Sequence, residues 1–128
     1  MSEFGDEEAW RIRLTPEQYQ ILRCSATEAP FTGVYWDHHE EGRYRCAGCE
    51  QVLFLSDDKY DSGSGWPSFT RPVEESRLTL HRDDSHGMER IEVRCASCGG
   101  HLGHLFPDGP NPTGQRYCVN SAALEFEG

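Results

Sequence analysis

The sequence predicts one mainly β domain: an antiparallel, β-rich fold with a short N-terminal helix and a pair of zinc knuckles. Three observations carry that expectation. Short apolar stretches alternate with turns rich in Gly, Pro and Asp; two Cys-x-x-Cys pairs lie far apart in the chain; and one segment after residue 13 carries a helix start. The chain's 128 residues suffice for one domain and not for two ordinary ones. A hydrophobic fraction of 36%, with 13 Gly and 7 Pro, implies a modest core that profits from a metal or disulfide staple.

Residues 1–13 read as a flexible acidic tail from which Trp10 can pack onto the domain, and 14–128 as the single domain. The helix start is Leu14-Thr15-Pro16-Glu17-Gln18-Tyr19, with Thr15 at N-cap, Pro16 at N1 and Gln18 at N3. That is a capping box, and Leu14 and Tyr19 are spaced for a hydrophobic staple. The helix is expected to end near Arg23, just before Cys24. After the turn-like Ala29-Pro30-Phe31-Thr32-Gly33, strands are expected at Tyr44–Cys46 and Val52–Leu55. Arg77–His81 follows with Leu78 and Leu80 on one face, then Met88–Arg94 with Ile91 and Val93 apolar. Asp83–Gly87 reads as the hairpin loop between the last two, Tyr117–Phe126 as the final element, and Pro107–Gly114 as a rigid surface loop.

A formal net charge of -10 argues against nucleic acid and against anionic membrane surfaces as partners. Acidic residues crowd Glu3–Glu8 and Asp37–Glu41, which read as solvated faces. No apolar run approaches the roughly 18 residues of a membrane helix, and the acidic N-terminus is unlike a signal or transit peptide. A reducing, cytoplasmic setting follows as the default, where six cysteines read as metal ligands or catalytic thiols before structural disulfides.

Cys46-Ala47-Gly48-Cys49 and Cys95-Ala96-Ser97-Cys98 have the spacing of two knuckles that together close a tetrahedral zinc site. Gly48 and Gly99 suit the sharp backbone that such a turn needs. Disulfides or two redox-active pairs are the alternatives, although a thioredoxin-like pair needs a βαβ setting that is missing. A closed four-cysteine site stabilises and does not catalyse.

Cys24 and Cys118 are left over. Cys118 lies in Arg116-Tyr117-Cys118-Val119-Asn120, where the arginine can favour a nucleophilic thiolate; a buried core cysteine is the competing reading. Two segments favour chemistry. Gly99-Gly100-His101-Leu102-Gly103-His104-Leu105-Phe106 offers acid–base groups among glycines. Ser62-Gly63-Ser64-Gly65-Trp66-Pro67-Ser68-Phe69 offers a stiff aromatic platform of Trp66 and Phe69, of the kind that receives apolar or sulfur-bearing groups. A non-catalytic zinc-knuckle module would leave these segments idle, and a thiol peroxidase would use Cys118 alone.

Taken together, Gly65–Phe69, Gly103–Phe106, Arg116–Ser121, both cysteine pairs and Ala29–Gly33 resemble the methionine-R-sulfoxide reductase B family, over roughly Leu14 to Phe126. The resemblance implies the MsrB-like, or β-tent, fold of two antiparallel sheets, with one structural Zn2+ on Cys46, Cys49, Cys95 and Cys98. It implies reduction of the R epimer of methionine sulfoxide in proteins, with Cys118 as nucleophile and Trp66 against the substrate methyl group. His104, with His101 and Asn120, would act around the sulfoxide oxygen; His81 would be a further pocket histidine, and Arg116 would flank the nucleophile. Thioredoxin would be the reductant, and a monomer is expected.

The chain departs from the family pattern at Ser64, where many members carry a resolving cysteine. Serine cannot form a disulfide, and Cys24 is the spare thiol. Cys24 is therefore expected to resolve a Cys118 sulfenic acid, after movement that brings the two Cα atoms within about 7 Å; an inert Cys24, with thioredoxin or a small thiol reducing the sulfenic acid directly, is the competing reading.

Overall fold

A computed structural model describes residues 7–111 and 113–128. Strand β1 (Arg43–Cys46) lies between β2 (Val52–Leu55) and β9 (Leu124–Glu127) in a three-stranded sheet. The other six strands are β3 (Lys59–Tyr60), β4 (Ser68–Phe69), β5 (Leu78–Asp83), β6 (Arg90–Cys95), β7 (His101–Phe106) and β8 (Arg116–Val119). They form a second sheet in the order β3-β4-β8-β7-β6-β5. All pairings are antiparallel. Two antiparallel sheets with little helix are what the resemblance implies.

The inner faces meet through aromatic rings. Phe54 from the small sheet stacks on Phe69 from the large one at 4.3 Å between centroids, and Tyr44 meets Phe69 edge-on at 5.2 Å. All three rings are fully buried, as are Val93, Leu102 and Val119. Each such side chain contributes about 1.5–3 kcal/mol of burial. The small sheet does not reach the whole inner face of the large one. Leu78 is covered, whereas Leu80 and Ile91 on the same face are 51% and 42% exposed.

The final segment is not one strand. β8 ends at Val119, a single 3-10 turn at Ser121–Ala123 follows, and β9 then joins the other sheet. Asn120 makes the break, its backbone N–H and side-chain amide both donating to the Leu102 carbonyl, at 2.9 and 3.0 Å.

Helix α2 (Pro16–Cys24) begins with the expected capping box. Thr15 Oγ1 accepts from the Gln18 N–H at 3.2 Å, and Gln18 Oε1 accepts from the Thr15 N–H at 3.0 Å. It ends on Ser25 in the left-handed region, at φ 57°. The expected tail fails from residue 7 onward, because Glu7–Arg13 forms helix α1; residues 1–6 lie outside the described ones. Trp10 anchors α1 at 3% exposure, with the Arg23 guanidinium 4.7 Å from its ring centroid, and a Cβ on Gly48 would lie 3.3 Å from the indole. Trp10→Ala is expected to cost about 3–5 kcal/mol of stability, read as a lower urea midpoint; an unchanged midpoint would show α1 to be ornamental.

No helix among the described residues is long and apolar enough to cross a membrane.

Candidate active site and metal centre

The cysteine pairs sit on two matching turns. Each closes with a hydrogen bond to the carbonyl of its first cysteine, from Glu50 N–H to Cys46 and from Gly99 N–H to Cys95, both at 2.8 Å. The residue after the second cysteine takes the left-handed conformation in both, Glu50 at φ 67° and Gly99 at φ 74°. Gly99 is therefore where the turn needs a glycine. Gly48 is not at such an angle, and the strain expected there falls on Glu50 instead.

The turns bring the four sulfurs together. Cys46 and Cys98 Sγ are 3.7 Å apart, Cys49 and Cys95 Sγ 3.5 Å, and all four lie within 4.8 Å of one another. Four thiolates at 2.3 Å from a tetrahedral zinc ion are about 3.8 Å apart. The spacing and the all-sulfur donor set thus fit zinc, and the four cysteines are free of disulfides.

The second centre lies on the outer face of the large sheet. Strand register aligns one row of side chains across it: Tyr60, Ser68, Cys118, His104, Glu92 and His81, one from each strand. Side chains alternate between faces, so Tyr117, Leu105 and Val93 point inward to the core. Gly103 permits the close pairing of β7 with β8, because a Cβ there would collide with the Cys118 carbonyl.

Over this row is a cavity of about 310 Å3 lined by Thr27, Ser64, Trp66, Arg90, Gly103, His104, Phe106, Arg116, Cys118 and Asn120. It unites five of the expected site residues: Cys118, His104, Trp66, Asn120 and Arg116. The Trp66 indole N–H donates to the Glu28 carbonyl at 3.0 Å, and the Glu28 N–H donates to Asn120 Oδ1 at 3.1 Å. Asn120 is thus bonded through both ends of its amide to backbone, which holds the 26–31 segment against the cavity wall.

Burial pushes the Cys118 thiol above its ordinary value of 9.0; Arg116 and the Ser64 hydroxyl act in the opposite sense and do not overcome it. Arg116 is only a partial counter-charge. Asp108 accepts from its guanidinium at 2.8 and 3.1 Å, and the guanidinium carbon lies 4.4 Å from the Phe106 ring centroid. The free site therefore stores a thiol, not the thiolate expected from the arginine.

Four expected residues, Phe69, His81, His101 and Cys24, do not line the cavity. Phe69 follows Ser68 and so faces inward, fully buried against Phe54 in the core. His81 shares the active row but lies three strands from Cys118, roughly 14 Å at the usual strand spacing, and bonds to Thr79 Oγ1 at 2.8 Å. His101 is 3% exposed and does not line the cavity; its Nδ1 donates to Glu92 Oε2 at 2.6 Å, while Nε2 has no partner among the described residues. Burial lowers its pKa.

Cys24 is exposed at the last residue of α2. Thr27 lines the cavity three residues on, and three residues span at most about 11 Å.

Sequence reasoning missed Glu28, Asp83, Glu92 and Asp108, which hold Trp66 with Asn120, His104, His101 and Arg116 respectively. Glu92 was detectable as a charge between Ile91 and Val93 on a strand, where it faces away from the core. Asp83 sits in what reads as a loop, and nothing local marks it.

Fold and site together define a two-sheet, thiol-bearing domain with a four-cysteine cluster able to hold a metal and a separate cysteine–histidine–tryptophan cavity. The SelR domain profile matches residues 14–128. The chain is 62% identical over 118 residues to the peptide methionine sulfoxide reductase MsrB of Agrobacterium fabrum, covering 92% of this chain and 87% of the relative. It is 63% identical over 121 residues to the protein of that name from Bradyrhizobium diazoefficiens, covering 94% and 87%, and 57% identical over 121 residues to that from Leptospira interrogans, covering 94% and 92%. The chain belongs to the SelR domain family, the methionine sulfoxide reductase B family that its motifs resemble.

Proposed function

We propose that this chain reduces methionine-R-sulfoxide in proteins to methionine, using Cys118 as nucleophile and His104 as proton donor. The observation that carries the reading is a single cavity holding Cys118, His104 and the Trp66 indole, in a chain of this family. A sulfoxide sulfur is attacked only as its oxygen is protonated, so thiol and acid must reach the substrate together. In this reading the Trp66 ring receives the methyl group, and Cys118 gives up two electrons. The sulfoxide leaves as a thioether, and its oxygen stays on Cys118 as a sulfenic acid.

The raised thiol pKa suits such a cycle, because proton release from Cys118 can be coupled to substrate protonation. Cys46, Cys49, Cys95 and Cys98 would hold one structural zinc ion, which would link the two turns and take no part in the reaction. A monomer in a reducing, cytoplasmic compartment suits a chain whose six cysteines form no disulfide.

For recovery, the Cys24 thiol condenses with the Cys118 sulfenic acid, forming an S–S bond and releasing water. Thioredoxin's dithiol then reduces that disulfide back to two thiols. The exposure of Cys24 and the proximity of Thr27 to the cavity support this role. Cys24→Ser is expected to keep single-turnover methionine formation and to lower the thioredoxin-dependent steady-state rate at least about tenfold. An unchanged steady-state rate would overturn the resolving role.

The overall reading is tested with each epimer of N-acetyl-methionine sulfoxide and dithiothreitol. Release of N-acetyl-methionine from the R epimer alone is expected; equal turnover of both, or of neither, would sink it.

A further inference from the structure

On the active face of the large sheet, two histidines are each held by a carboxylate. His104 Nε2 donates to Asp83 Oδ2 at 2.7 Å, and His101 Nδ1 donates to Glu92 Oε2 at 2.6 Å. Only the first pair reaches the cavity, because His104 lines it beside Cys118 and His101 does not. We propose that Asp83 is the positioning residue of the reaction, fixing the His104 imidazole so that Nδ1 is the ring nitrogen that meets the sulfoxide oxygen. The inference rests on His104 as the proton donor.

Asp83 is built to hold one orientation. It closes β5 opposite Arg90, whose Nη2 donates to Oδ2 at 3.3 Å, and the Ser85 N–H donates to Oδ1 at 3.0 Å. Ser85 Oγ in turn accepts from Arg90 Nη2 at 3.4 Å. The Ser85 hydroxyl and then His104 hold the Asp83 carboxyl well below the usual carboxylate range, so it is an anion at neutral pH.

A fixed anion at Nε2 does two things. It keeps the proton of the neutral ring on Nε2, and among the described residues Nδ1 has no hydrogen-bond partner. It also leaves Nδ1 as the place for the second proton of the imidazolium, the one delivered. Among the described residues, the other charged or titratable groups around His104 are Cys118, opposite it on β8, Glu92, opposite it on β6, Arg90 next to Asp83, Arg116 on the same cavity wall, and the His101 ring at 5.6 Å. Glu92 is already engaged by Arg94 and His101, which leaves Asp83 as the carboxylate on His104.

The test combines 15N NMR of the histidine ring with single-turnover kinetics on R-N-acetyl-methionine sulfoxide. In the unaltered protein the ring of His104 is expected as the Nε2–H tautomer; an Nδ1–H tautomer would overturn the inference without any variant. Asp83→Asn is expected to slow methionine formation about 10- to 100-fold, to change KM less than about twofold, and to mix the His104 tautomers. Asp84→Asn, at an exposed neighbour that pairs with Arg82, is the control and should move none of these. In a His104→Gln background, Asp83→Asn should cost less than about a further twofold, because its effect passes through the ring. An additive loss there, or an unchanged single-variant rate, overturns the role of Asp83. Full activity of His104→Gln alone would instead overturn the donor assignment on which it rests.

Discussion

Cys118→Ser is expected to lower sulfoxide reduction by about three orders of magnitude or more, to the assay background. The size follows from what the atom must do. The nucleophile accepts an oxygen and gives up two electrons, which sulfur does by forming a sulfenic acid and a serine oxygen cannot do. The substitution changes little else. Cys118 is only half-buried, lies at the cavity wall and bonds through its backbone in β8. Thermal stability should therefore shift by under about 1 kcal/mol, well inside what a surface-near change produces. The same cysteine carries a pH signature. Because burial raises its pKa above 9.0, the reactive thiolate is scarce at neutral pH, and iodoacetamide labelling of Cys118 should keep climbing as pH rises through 9. A labelling rate already flat at pH 7 would contradict the buried-thiol state, and retained turnover in the serine variant would remove Cys118 from the reaction.

Loss of the metal centre is expected to unfold the protein outright. Structural zinc contributes about 10–16 kcal/mol in small zinc domains, against a total stability of about 5–15 kcal/mol for an ordinary domain. Here the load is concentrated. Cys46 and Cys95 end β1 and β6 and are fully buried, and they tie the small sheet to the large one. Without a cation, four sulfurs within 4.8 Å must either stay protonated or repel. Stripping with a strong chelator, or the single change Cys95→Ser, should abolish the cooperative thermal transition seen by circular dichroism, and one zinc per chain should be found beforehand. A metal-free sample with an undiminished transition would show that packing alone holds the sheets.

Some features were legible because they depend on neighbours in sequence. The capping box needs only Thr15, Pro16 and Gln18, and it forms as read. β1 and β2 appear where short apolar stretches flank the first cysteine pair. The break at Asn120 was legible in principle: Tyr117 and Val119 are odd-numbered inward residues, whereas Leu124 and Phe126 are even-numbered. One straight strand cannot bury both sets on a single face, so the chain turns and changes sheet. The expected flexible tail gave way to helix over Glu7–Arg13 because this short polar sequence has no strong helix signal of its own; Trp10 is buried by Arg23 and the first cysteine turn, contacts that local pattern does not contain.

The site divides along the same line. By itself the sequence determined the chemical types: four sulfurs paired for a metal, a spare cysteine beside an arginine, histidines among glycines, and a tryptophan fixed by proline. Those are properties of composition and short spacing, which survive without a fold. Tertiary structure alone decided which of them meet. Strand register set Cys118 beside His104 and left His81 three strands away; pleat parity sent Phe69 into the core; and burial reversed the effect expected from Arg116 on the thiol. The carboxylates that hold the histidines came from β5 and β6, distant in sequence from Cys118, because in an antiparallel sheet neighbours are set by register and not by order along the chain.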